Sequence, residues 1–317
     1  MVKILVNDGI EADGKLLLEE AGYEVNTTKV AQEALVNELP NYDVIIVRSA
    51  TQVRKELIDA CPNLKIIARG GVGTDNIDVA YARSKGIEII TTPAASSQSV
   101  AELALGHILN LARFLHRSNR EMATGDFKKL KSAYAEGVQL RGKTLGIIGF
   151  GRIGQELARM GFAMGMNVMV SDPVITETDL TINLYNTKDV KLSIHLRSYP
   201  LGEVLKNADV VSLHTPALSK PLIGADEIAS MKNGAFIINC ARGGVIDEDA
   251  LFAALESGKL GGAGLDAFKN EPNPRADLLN HPRVSVSPHI GAATLEAQAN
   301  IGLELADKII AFFGDDK

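Results

Sequence analysis

Three residues in the last third of the sequence have side chains suited to acid–base chemistry on an anionic molecule. Arg242 lies in NCARGG, Glu271 precedes Pro272, and His289 follows Pro288 in SPHIGAAT. Histidine exchanges protons near neutral pH, and a guanidinium can bind a carboxylate through two parallel hydrogen bonds. A carboxylate beside the imidazole would fix its tautomer and favour its protonated form. Together they predict the oxidation of an alcohol next to a carboxylate.

Each of these residues also has a simpler interpretation. A histidine after a proline at a strand end is more often structural, and an arginine in a glycine-rich loop could bind a cofactor phosphate. Glu271 alone predicts almost nothing, so the joint placement of the three is what favours catalysis. Cys61 and Cys240 lie far apart and have no metal-ligand spacing. We therefore expect neither a metal site nor a disulfide.

A glycine-rich segment predicts the cofactor. Gly149, Gly151 and Gly154 follow the apolar run 145–148 with G-x-G-x-x-G spacing, and a helical pattern and a second apolar run lead to Asp172. Such glycines permit a tight turn, close approach to a pyrophosphate and close helix–strand packing. Asp172 would bind ribose hydroxyls and repel a 2′-phosphate, which predicts NAD rather than NADP. The alternative is a glycine-rich turn that serves packing alone.

The remaining sequence supplies elements that would position these residues. Short apolar runs alternate with helical patterns, which is typical of parallel sheets covered by helices. The runs 210–213, 236–239, 264–267 and 284–287 end in polar or small residues. Ligands bind beyond the carboxyl ends of strands in open α/β sheets. We therefore predict an α/β fold with two doubly wound parallel-sheet domains.

Three stretches suggest how the domains connect. Residues 97–118 predict one long helix, residues 174–200 have no clean period and are expected to form a surface insertion, and residues 294–314 predict a helix that returns to the first domain. The apolar face of the first helix comprises Val100, Leu103, Ala104, Leu111 and Leu115. The prediction is a Rossmann NAD-binding domain inserted in a discontinuous flavodoxin-like substrate domain. The predicted ranges are 1–96 and 289–317 for the substrate domain and 97–288 for the NAD-binding domain.

Composition restricts the class of protein. A chain of 317 residues suggests about two domains. Its net charge of −6 and the lack of a basic tract give no basis for nucleic-acid binding. No apolar segment reaches the roughly 18 residues of a membrane helix, and the N-terminus enters a strand directly. With only two cysteines, a reducing cytoplasm is expected. The expected partner is a small-molecule substrate, not nucleic acid or a membrane.

Two further arginines bear on that substrate. Arg48 follows the run 44–47, and Arg69 follows the run 66–68. If both runs are parallel strands of one sheet, both guanidiniums lie at its carboxyl edge. Since Arg242 already suits a carboxylate, they predict a second anionic group such as a phosphate, and Asn76 could add a hydrogen bond. The alternative is that each arginine only caps a strand at the surface.

The sequence resembles the D-isomer-specific 2-hydroxyacid dehydrogenase family. The matching motifs are VRSAT at 47–51, GVGTDNID at 71–78, TLGIIGFGRIG at 144–154, NCARGGVIDE at 239–248, LDAF at 265–268 and PHIGAAT at 288–294. The resemblance implies that Arg242 and Glu271 are catalytic and that His289 donates or accepts the proton. The expected NAD-binding residues are Gly149, Gly151, Arg152, Ile153, Gly154, Asp172, Thr215, Cys240, Ala241, Asp266, Gly291 and Ala292. The expected substrate-binding residues are Arg48, Arg69, Gly73, Asn76, Arg242 and His289.

The expected activity is the NAD-dependent oxidation of D-3-phosphoglycerate to 3-phosphohydroxypyruvate, the first step of serine biosynthesis. The alternatives are reduction of glyoxylate or hydroxypyruvate, action on another D-2-hydroxy acid, and a non-enzymatic NAD-sensing module of the corepressor kind. The resemblance also implies a homodimer formed through the nucleotide domain. Longer family members carry C-terminal regulatory domains, and because this sequence stops at Lys317 we expect no serine feedback through such a domain.

Overall fold

The computed structural model describes residues 1–183 and 190–314, so 184–189 of the predicted surface insertion lie outside the described residues. The strands are β1 (Lys3–Val6), β2 (Glu24–Asn26), β3 (Val44–Val47), β4 (Ile66–Arg69), β5 (Glu88–Thr91), β6 (Thr144–Ile148), β7 (Asn167–Ser171), β8 (Glu177–Asn183), β9 (Lys191–Arg197), β10 (Val210–Leu213), β11 (Ala235–Asn239), β12 (Leu260–Leu265) and β13 (Val284–Val286). The helices are α1 (Ala12–Glu20), α2 (Leu35–Glu38), α3 (Lys55–Ala60), α4 (Val79–Ser84), α5 (Ser97–Ala112), α6 (Leu115–Glu121), α7 (Phe127–Ala133), α8 (Arg152–Ala163), α9 (Leu201–Asn207), α10 (Ala225–Ser230), α11 (Glu248–Glu256), α12 (Ala276–Asn280) and α13 (Leu295–Gly314). Short 3₁₀ turns at Gln32–Ala34 and Leu39–Asn41 flank α2.

The chain divides into two units. Unit 1 comprises Met1–Ser99 and the chain from Ala292 onward, and unit 2 comprises Val100–Gly291. Among the described residues, unit 1 is built on a parallel sheet with the strand order β2-β1-β3-β4-β5. This is the flavodoxin-like order, and it confirms the predicted fold class for this unit. The whole of β3 is buried, as expected for a strand with both faces covered.

The helix α13 completes the core of unit 1 from the far end of the chain. Its residues Ile301, Leu305 and Ile309 are buried against strands of the unit 1 sheet, as their helical spacing predicts. It also packs closely against α1, where a Cβ atom added at Gly14 would lie 2.5 Å from the carbonyl carbon and oxygen of Gly302. A side chain at position 14 would therefore force the two helices apart.

Unit 2 contains a second parallel sheet. Within the described ranges its strand order is β13-β12-β11-β10-β6-β7, so the chain winds outward in both directions from β6. All neighbouring pairs are parallel, and the largest buried side chains include Phe150 and Leu145. The strand β6 leads into α8 through the glycine-rich turn, which confirms the predicted Rossmann class.

The single helix predicted over 97–118 is wrong. The helix α5 ends at Ala112, and Phe114 adopts a left-handed conformation with φ of 55° before α6 begins. The N–H of Val138 donates to the Ala112 carbonyl at 2.8 Å, and the Phe114 ring packs on Tyr134, so tertiary contacts replace the next helical turn. Leu115, predicted to lie on the apolar face, is 51% exposed. Val100, Ala104 and Leu111 are buried as predicted.

The segment 174–200 contains an antiparallel hairpin that the sequence analysis did not predict. The strands β8 and β9 pair from Glu177 with Arg197 to Asn183 with Lys191. The guanidinium of Arg159 in α8 donates through Nε to the Thr181 carbonyl at 2.8 Å. The hairpin thus lies on the surface of unit 2 beside α8.

The predicted strand at 264–267 begins too late, since β12 runs from Leu260 to Leu265. Its sequence LGGAGL hides the strand because glycine is rarely a strand residue. Here neighbouring side chains occupy the space: a Cβ at Gly262 would lie 2.8 Å from Leu111, and one at Gly264 would lie 2.6 Å from the Cβ of His107. Both neighbours belong to α5.

In the described part of the chain, no helix combines the length and apolar character of a membrane span.

Candidate active site

Glu271 and His289 form a hydrogen-bonded pair in unit 2. The distance from His289 Nδ1 to Glu271 Oε2 is 2.7 Å, and Glu271 Oε1 accepts a hydrogen bond from the Phe268 backbone N–H at 2.9 Å. Because a carboxylate only accepts, Nδ1 carries the proton of the neutral ring, and Nε2 presents its lone pair. The His289 side chain is 48% exposed, so this nitrogen can be reached by a substrate. The structure therefore brings together the acid–base pair that the sequence predicts.

The backbone that carries His289 is tightly held. His289 has φ of 54°, a left-handed conformation that is unusual for a residue with a side chain. The next two N–H groups, of Ile290 and Gly291, each donate to the carboxylate of Asp266 at 2.9 Å. Asp266 follows β12 and is 1% exposed. These bonds assign Asp266 to the support of the turn, and its predicted contact with NAD stays a prediction.

Arg242 lies in the loop that follows β11. The side chain of Asn239 spans this loop, accepting from the Ala241 N–H at 3.1 Å and donating to the Arg242 carbonyl at 2.9 Å. A Cβ atom at Gly243 would overlap the Phe268 carbonyl oxygen, so the loop packs directly on the backbone whose N–H binds Glu271. Arg242, Glu271 and His289 thus follow three adjacent strands, β11, β12 and β13, at one edge of the sheet.

The glycine-rich turn forms a cradle for an anion. Gly149 has φ of 90°, and a Cβ there would lie 2.5 Å from the His214 carbonyl oxygen. Gly151 is the N-cap of α8, with no side-chain cap among the described residues and open space where a Cβ would point. The first N–H groups of α8, from Arg152 onward, are therefore available to a phosphate. Gly154 is buried and lets α8 pack closely on the turn.

Asp172 follows β7, as the sequence predicts. Its Oδ2 accepts from the Phe150 N–H at 2.7 Å, and its Oδ1 accepts from the Val174 and Ile175 N–H groups at 2.8 and 2.9 Å. Burial raises the pKa of this carboxyl, but the three backbone donors outweigh burial, and the pKa is lowered overall. A carboxylate has about four acceptor positions, so one remains for a ribose hydroxyl.

Thr215 supplies a further sign that the site fits a dinucleotide. Its Oγ1 is buried without a hydrogen-bond partner in the described residues, and it lies in the loop that contacts Gly149. A buried hydroxyl without a partner is costly, and a ligand oxygen would satisfy it. The neighbouring His214 is neutral at pH 7, because burial lowers its pKa to about 4.

Cys240 and Ala241 are nearly buried at the end of β11. Burial, and then the nearby Asp266 carboxylate, raise the pKa of the Cys240 thiol, so it stays protonated and is no nucleophile. Gly291 lies in the His289 turn, and the Ala292 carbonyl accepts from Gln298 Nε2 at 2.7 Å. The contacts predicted between these residues and NAD stay predictions.

The predicted substrate residues of unit 1 lie at one edge of its sheet. Arg69 is the last residue of β4 and pairs with Val47 in β3, and Arg48 follows directly. Arg48 Nη1 donates to Gln298 Oε1, and its Nε is buried without a partner in the described part of the chain. The Arg69 guanidinium lies over Gly71, where a Cβ would overlap it.

Asn76 supports a loop through its amide nitrogen, and its predicted hydrogen bond to the substrate stays a prediction. It is buried, and its Nδ2 donates to the Arg48 carbonyl at 2.8 Å and to the Thr51 carbonyl at 2.6 Å. Both amide hydrogens therefore hold the 48–51 loop, and only its oxygen is left for a substrate. Gly73 lies in the half-buried loop between β4 and α4.

Sequence reasoning missed Asn239 and His107 as supporting residues. A signal existed for His107, because it falls on the buried α5 face with Val100, Ala104 and Leu111 at helical spacing. A polar residue in such a stripe needs a buried partner. Across the described ranges, no group of three or more His, Cys, Asp or Glu side chains is arranged to hold a metal ion.

Comparison with known proteins identifies the family that this chain resembles. Residues 105–291 match the family model described as "D-isomer specific 2-hydroxyacid dehydrogenase, NAD binding domain". The chain is 42% identical to a hydroxypyruvate reductase of Thermotoga maritima, over 98% of each chain. It is 41% identical to a D-3-phosphoglycerate dehydrogenase of Methanocaldococcus jannaschii, over 98% of this chain but only 57% of that protein. It is also similar to a D-lactate dehydrogenase of Aquifex aeolicus solved with NAD and lactic acid, with 31% identity and a TM-score of 0.78 over 99% and 96% of the two chains.

Proposed function

Because the chain belongs to the D-isomer-specific 2-hydroxyacid dehydrogenase family, we propose that this NAD-dependent oxidoreductase oxidises D-3-phosphoglycerate to 3-phosphohydroxypyruvate. The observation that carries the choice of substrate is the placement of Arg69 at the end of β4 and of Arg48 directly after the neighbouring strand β3, at one edge of the unit 1 sheet. A carboxylate alone needs one guanidinium, which Arg242 supplies. Two more cations favour a substrate with a second anionic group.

The acid–base pair accounts for the proton. In the oxidation direction, His289 Nε2 takes the hydroxyl proton of the substrate, and the ring becomes an imidazolium. Glu271, 2.7 Å from Nδ1, stabilises that charge and holds the ring so that Nε2 points away from the Glu271 carboxylate. Arg242 binds the substrate carboxylate and so places the carbon that bears the hydroxyl. NAD, when bound, accepts the hydride from that carbon.

The nucleotide-binding elements account for cofactor binding. The uncapped first turn of α8 offers N–H groups to the pyrophosphate, and Gly151 leaves room for it. Asp172 keeps one acceptor position for the adenosine ribose, and its charge disfavours a 2′-phosphate. Thr215 Oγ1 provides a hydroxyl that needs a partner.

A second candidate function is hydroxypyruvate reduction. It is favoured by the match to the Thermotoga maritima hydroxypyruvate reductase, because the alignment covers 98% of both chains. Hydroxypyruvate has the carboxylate and the carbonyl that Arg242 and His289 would bind, but it has no phosphate. The two candidates therefore differ in whether Arg48 and Arg69 bind an anion.

The test compares phosphorylated and unphosphorylated substrates. The purified protein is assayed by NADH absorbance with D-3-phosphoglycerate, D-glycerate and hydroxypyruvate. Arg48→Ala and Arg69→Ala should each raise KM for phosphoglycerate about 10- to 100-fold, the worth of a hydrogen bond to a charged group, and leave KM for glycerate nearly unchanged. Arg83→Ala, in the exposed last turn of α4, is the matched control.

Two results would contradict the phosphate assignment. Equal losses on both substrates would reduce the role of the two arginines to support of the loop. Turnover of hydroxypyruvate with none of phosphoglycerate would favour the second candidate. Thermal melting of each variant separates either result from unfolding.

We also propose a homodimer that works in the cytoplasm and contributes to serine biosynthesis. The dimer is supported by exposed apolar residues in and beside α6 and α7, namely Leu115, Met122 and Phe127. Surface groups of this kind often mark protein interfaces. The cytoplasm is supported by two buried free thiols, Cys61 and Cys240.

A further inference from the structure

A second histidine of unit 2 lies behind the acid–base pair. His107 in α5 is 3% exposed and occupies the space that Gly264 leaves on β12. Its Nδ1 lies 2.9 Å from Ser285 Oγ, and its Nε2 lies 2.9 Å from Ser287 Oγ. The Ser287 hydroxyl in turn donates to Asp266 Oδ1 at 2.6 Å. This places His107 two hydrogen bonds from the carboxylate that holds the His289 turn.

The direction of every hydrogen bond in this chain follows from the acceptor at its end. Asp266 can only accept, so the single hydrogen of Ser287 is used on it, and Ser287 must accept from His107 Nε2–H. A neutral ring then has a bare Nδ1, which accepts from the Ser285 hydroxyl. Ser285 Oγ accepts from Asn110 Nδ2 at 3.1 Å. The chain thus runs in one direction from Asn110 to Asp266, and it requires the Nε2–H tautomer of His107.

The surroundings keep His107 in the neutral form. Burial lowers the pKa of His107, and the nearby His116 lowers it further, while the Asp266 carboxylate raises it without reversing the shift. A protonated ring would carry a hydrogen on Nδ1, so the Ser285 hydroxyl would lose the acceptor to which it donates. The neutral ring, with one donor and one acceptor, matches both serines.

The element held at the other end of the chain is strained. His289 has φ of 54°, and this left-handed conformation is energetically unfavourable for a residue with a side chain. The Asp266 carboxylate offsets this cost by binding the two N–H groups that follow, of Ile290 and Gly291. Orienting the Ser287 hydroxyl toward Oδ1 fixes the plane of that carboxylate. Loss of the orienting donor would let the carboxylate turn and loosen both bonds.

We propose that His107 is a positioning residue of the dehydrogenase, which orients Ser287 and Asp266 so that the turn holds His289 in place. The inference rests on the proposed function, since it needs His289 to be the proton carrier. His107 would thus contribute to the reaction without touching substrate or cofactor. A role in packing alone would make any apolar side chain of similar volume an adequate replacement.

The test compares two replacements of His107. Glutamine can place its Nε2–H near the position of the imidazole Nε2–H, whereas leucine fills the space without a donor. His107→Leu should lower kcat about tenfold and change KM for the substrate less than threefold, and His107→Gln should recover most of kcat. Ser287→Ala should resemble His107→Leu, and the double variant should lose little more than either single one. The control is His281→Leu, which should leave kcat unchanged because His281 is a buried histidine of unit 2 that takes no part in the hydrogen-bond chain from Asn110 to Asp266.

Hydrogen exchange provides a readout that does not depend on activity. In His107→Leu, the peptide that contains Ile290 and Gly291 should exchange faster than in the wild type, and His107→Gln should restore its protection. Equal kcat and equal exchange in the leucine and glutamine variants would overturn the proposal, whether or not melting temperatures differ. A wild type that turns over no 2-hydroxy acid would instead defeat the proposed function. In that case, unchanged exchange in His107→Leu would also overturn the positioning role, and faster exchange would support it.

Discussion

At the scale of single residues, the proposed chemistry depends on which nitrogen of His289 is free. The bond from Nδ1 to Glu271 leaves Nε2 for the substrate. We expect His289→Asn to lower turnover by roughly 10²–10⁴-fold, because a positioned general acid–base group contributes about that much. Binding of NADH, followed by fluorescence, should change little. His195→Asn, on the exposed hairpin, is the control. A His289 variant within a few-fold of wild-type turnover would show that another group carries the proton.

The proposed role of Asp172 is to select NAD over NADP. We expect Asp172→Ala to weaken NAD binding about 10- to 100-fold and to weaken NADP binding less, because the change removes both a ribose contact and a repulsive charge. The measurement is the ratio of kcat/KM for the two cofactors. Since Asp172 also binds the Phe150 N–H, the melting temperature must be followed as well. A wild type that prefers NADP would refute this interpretation.

The placement of the candidate catalytic residues at one edge of the sheet could be predicted from the sequence, but the hydrogen bonds that support them could not. Arg242, Glu271 and His289 stand out because few residue types can move protons or bind carboxylates, and the strand ends place them at one edge. The contacts of Asp266 and Asn76 could not be predicted in the same way. Each binds backbone groups in a different loop, and such partners depend on tertiary packing. The tautomer of His107 likewise follows only from its long-range serine partners.

At the scale of elements, apolar runs that are buried on both faces were the best predicted. The strands at 44–47 and 210–213 agree residue for residue with the structure, since VIIV and VVSL have no competing pattern. The strand β12 was misplaced because its glycines have no side chain to count. The hairpin β8–β9 was missed because most of its residues are exposed, so its strands lack the apolar runs that mark the buried strands. The break after α5 depends on a contact with residue 138, which no local pattern contains.

The α1–α13 contact gives a matched pair of substitutions. A Cβ at Gly14 would lie 2.5 Å from backbone atoms of Gly302, whereas a Cβ at Gly302 would meet its nearest neighbours at 3.5 Å. We expect Gly14→Ala to reduce the free energy of unfolding by about 1–3 kcal/mol through overpacking. Gly302→Ala should be neutral or stabilising by up to about 1 kcal/mol, because alanine favours helix. Urea unfolding of both variants is the measurement. Equal effects would mean that the helices can separate without cost.

At the scale of the whole molecule, the sequence predicted two doubly wound sheets with a discontinuous first part. Alternating strands and helices account for the class of fold. The apolar face of α13 indicated that this helix packs against a sheet. What remains a prediction at this scale is assembly, because a single chain shows exposed apolar groups but not what covers them.

We expect a dimer at micromolar concentration by light scattering. Phe127 is 66% exposed at the start of α7, and Phe127→Glu should shift the molecular mass toward that of one chain, since a charge in an apolar contact is strongly disfavoured. Val174→Glu is the control, because Val174 is an exposed apolar residue of unit 2 outside α6 and α7. A wild type that is monomeric, or a dimer that both variants leave intact, would place the contact elsewhere or remove it.

The discontinuity of unit 1 also has a consequence for how the polypeptide is made. Strands β1, β3, β4 and β5 are synthesised before Val100–Gly291, but the part of their face that packs against Ile301, Leu305 and Ile309 stays uncovered until α13 has been translated. At roughly 5–20 residues per second, the synthesis of Val100–Gly291 imposes a wait of about 10–40 s. During that interval the nascent chain exposes apolar sheet surface, which favours aggregation with other chains. The split of unit 1 therefore makes it, more than the continuous unit 2, dependent on protection from aggregation during synthesis.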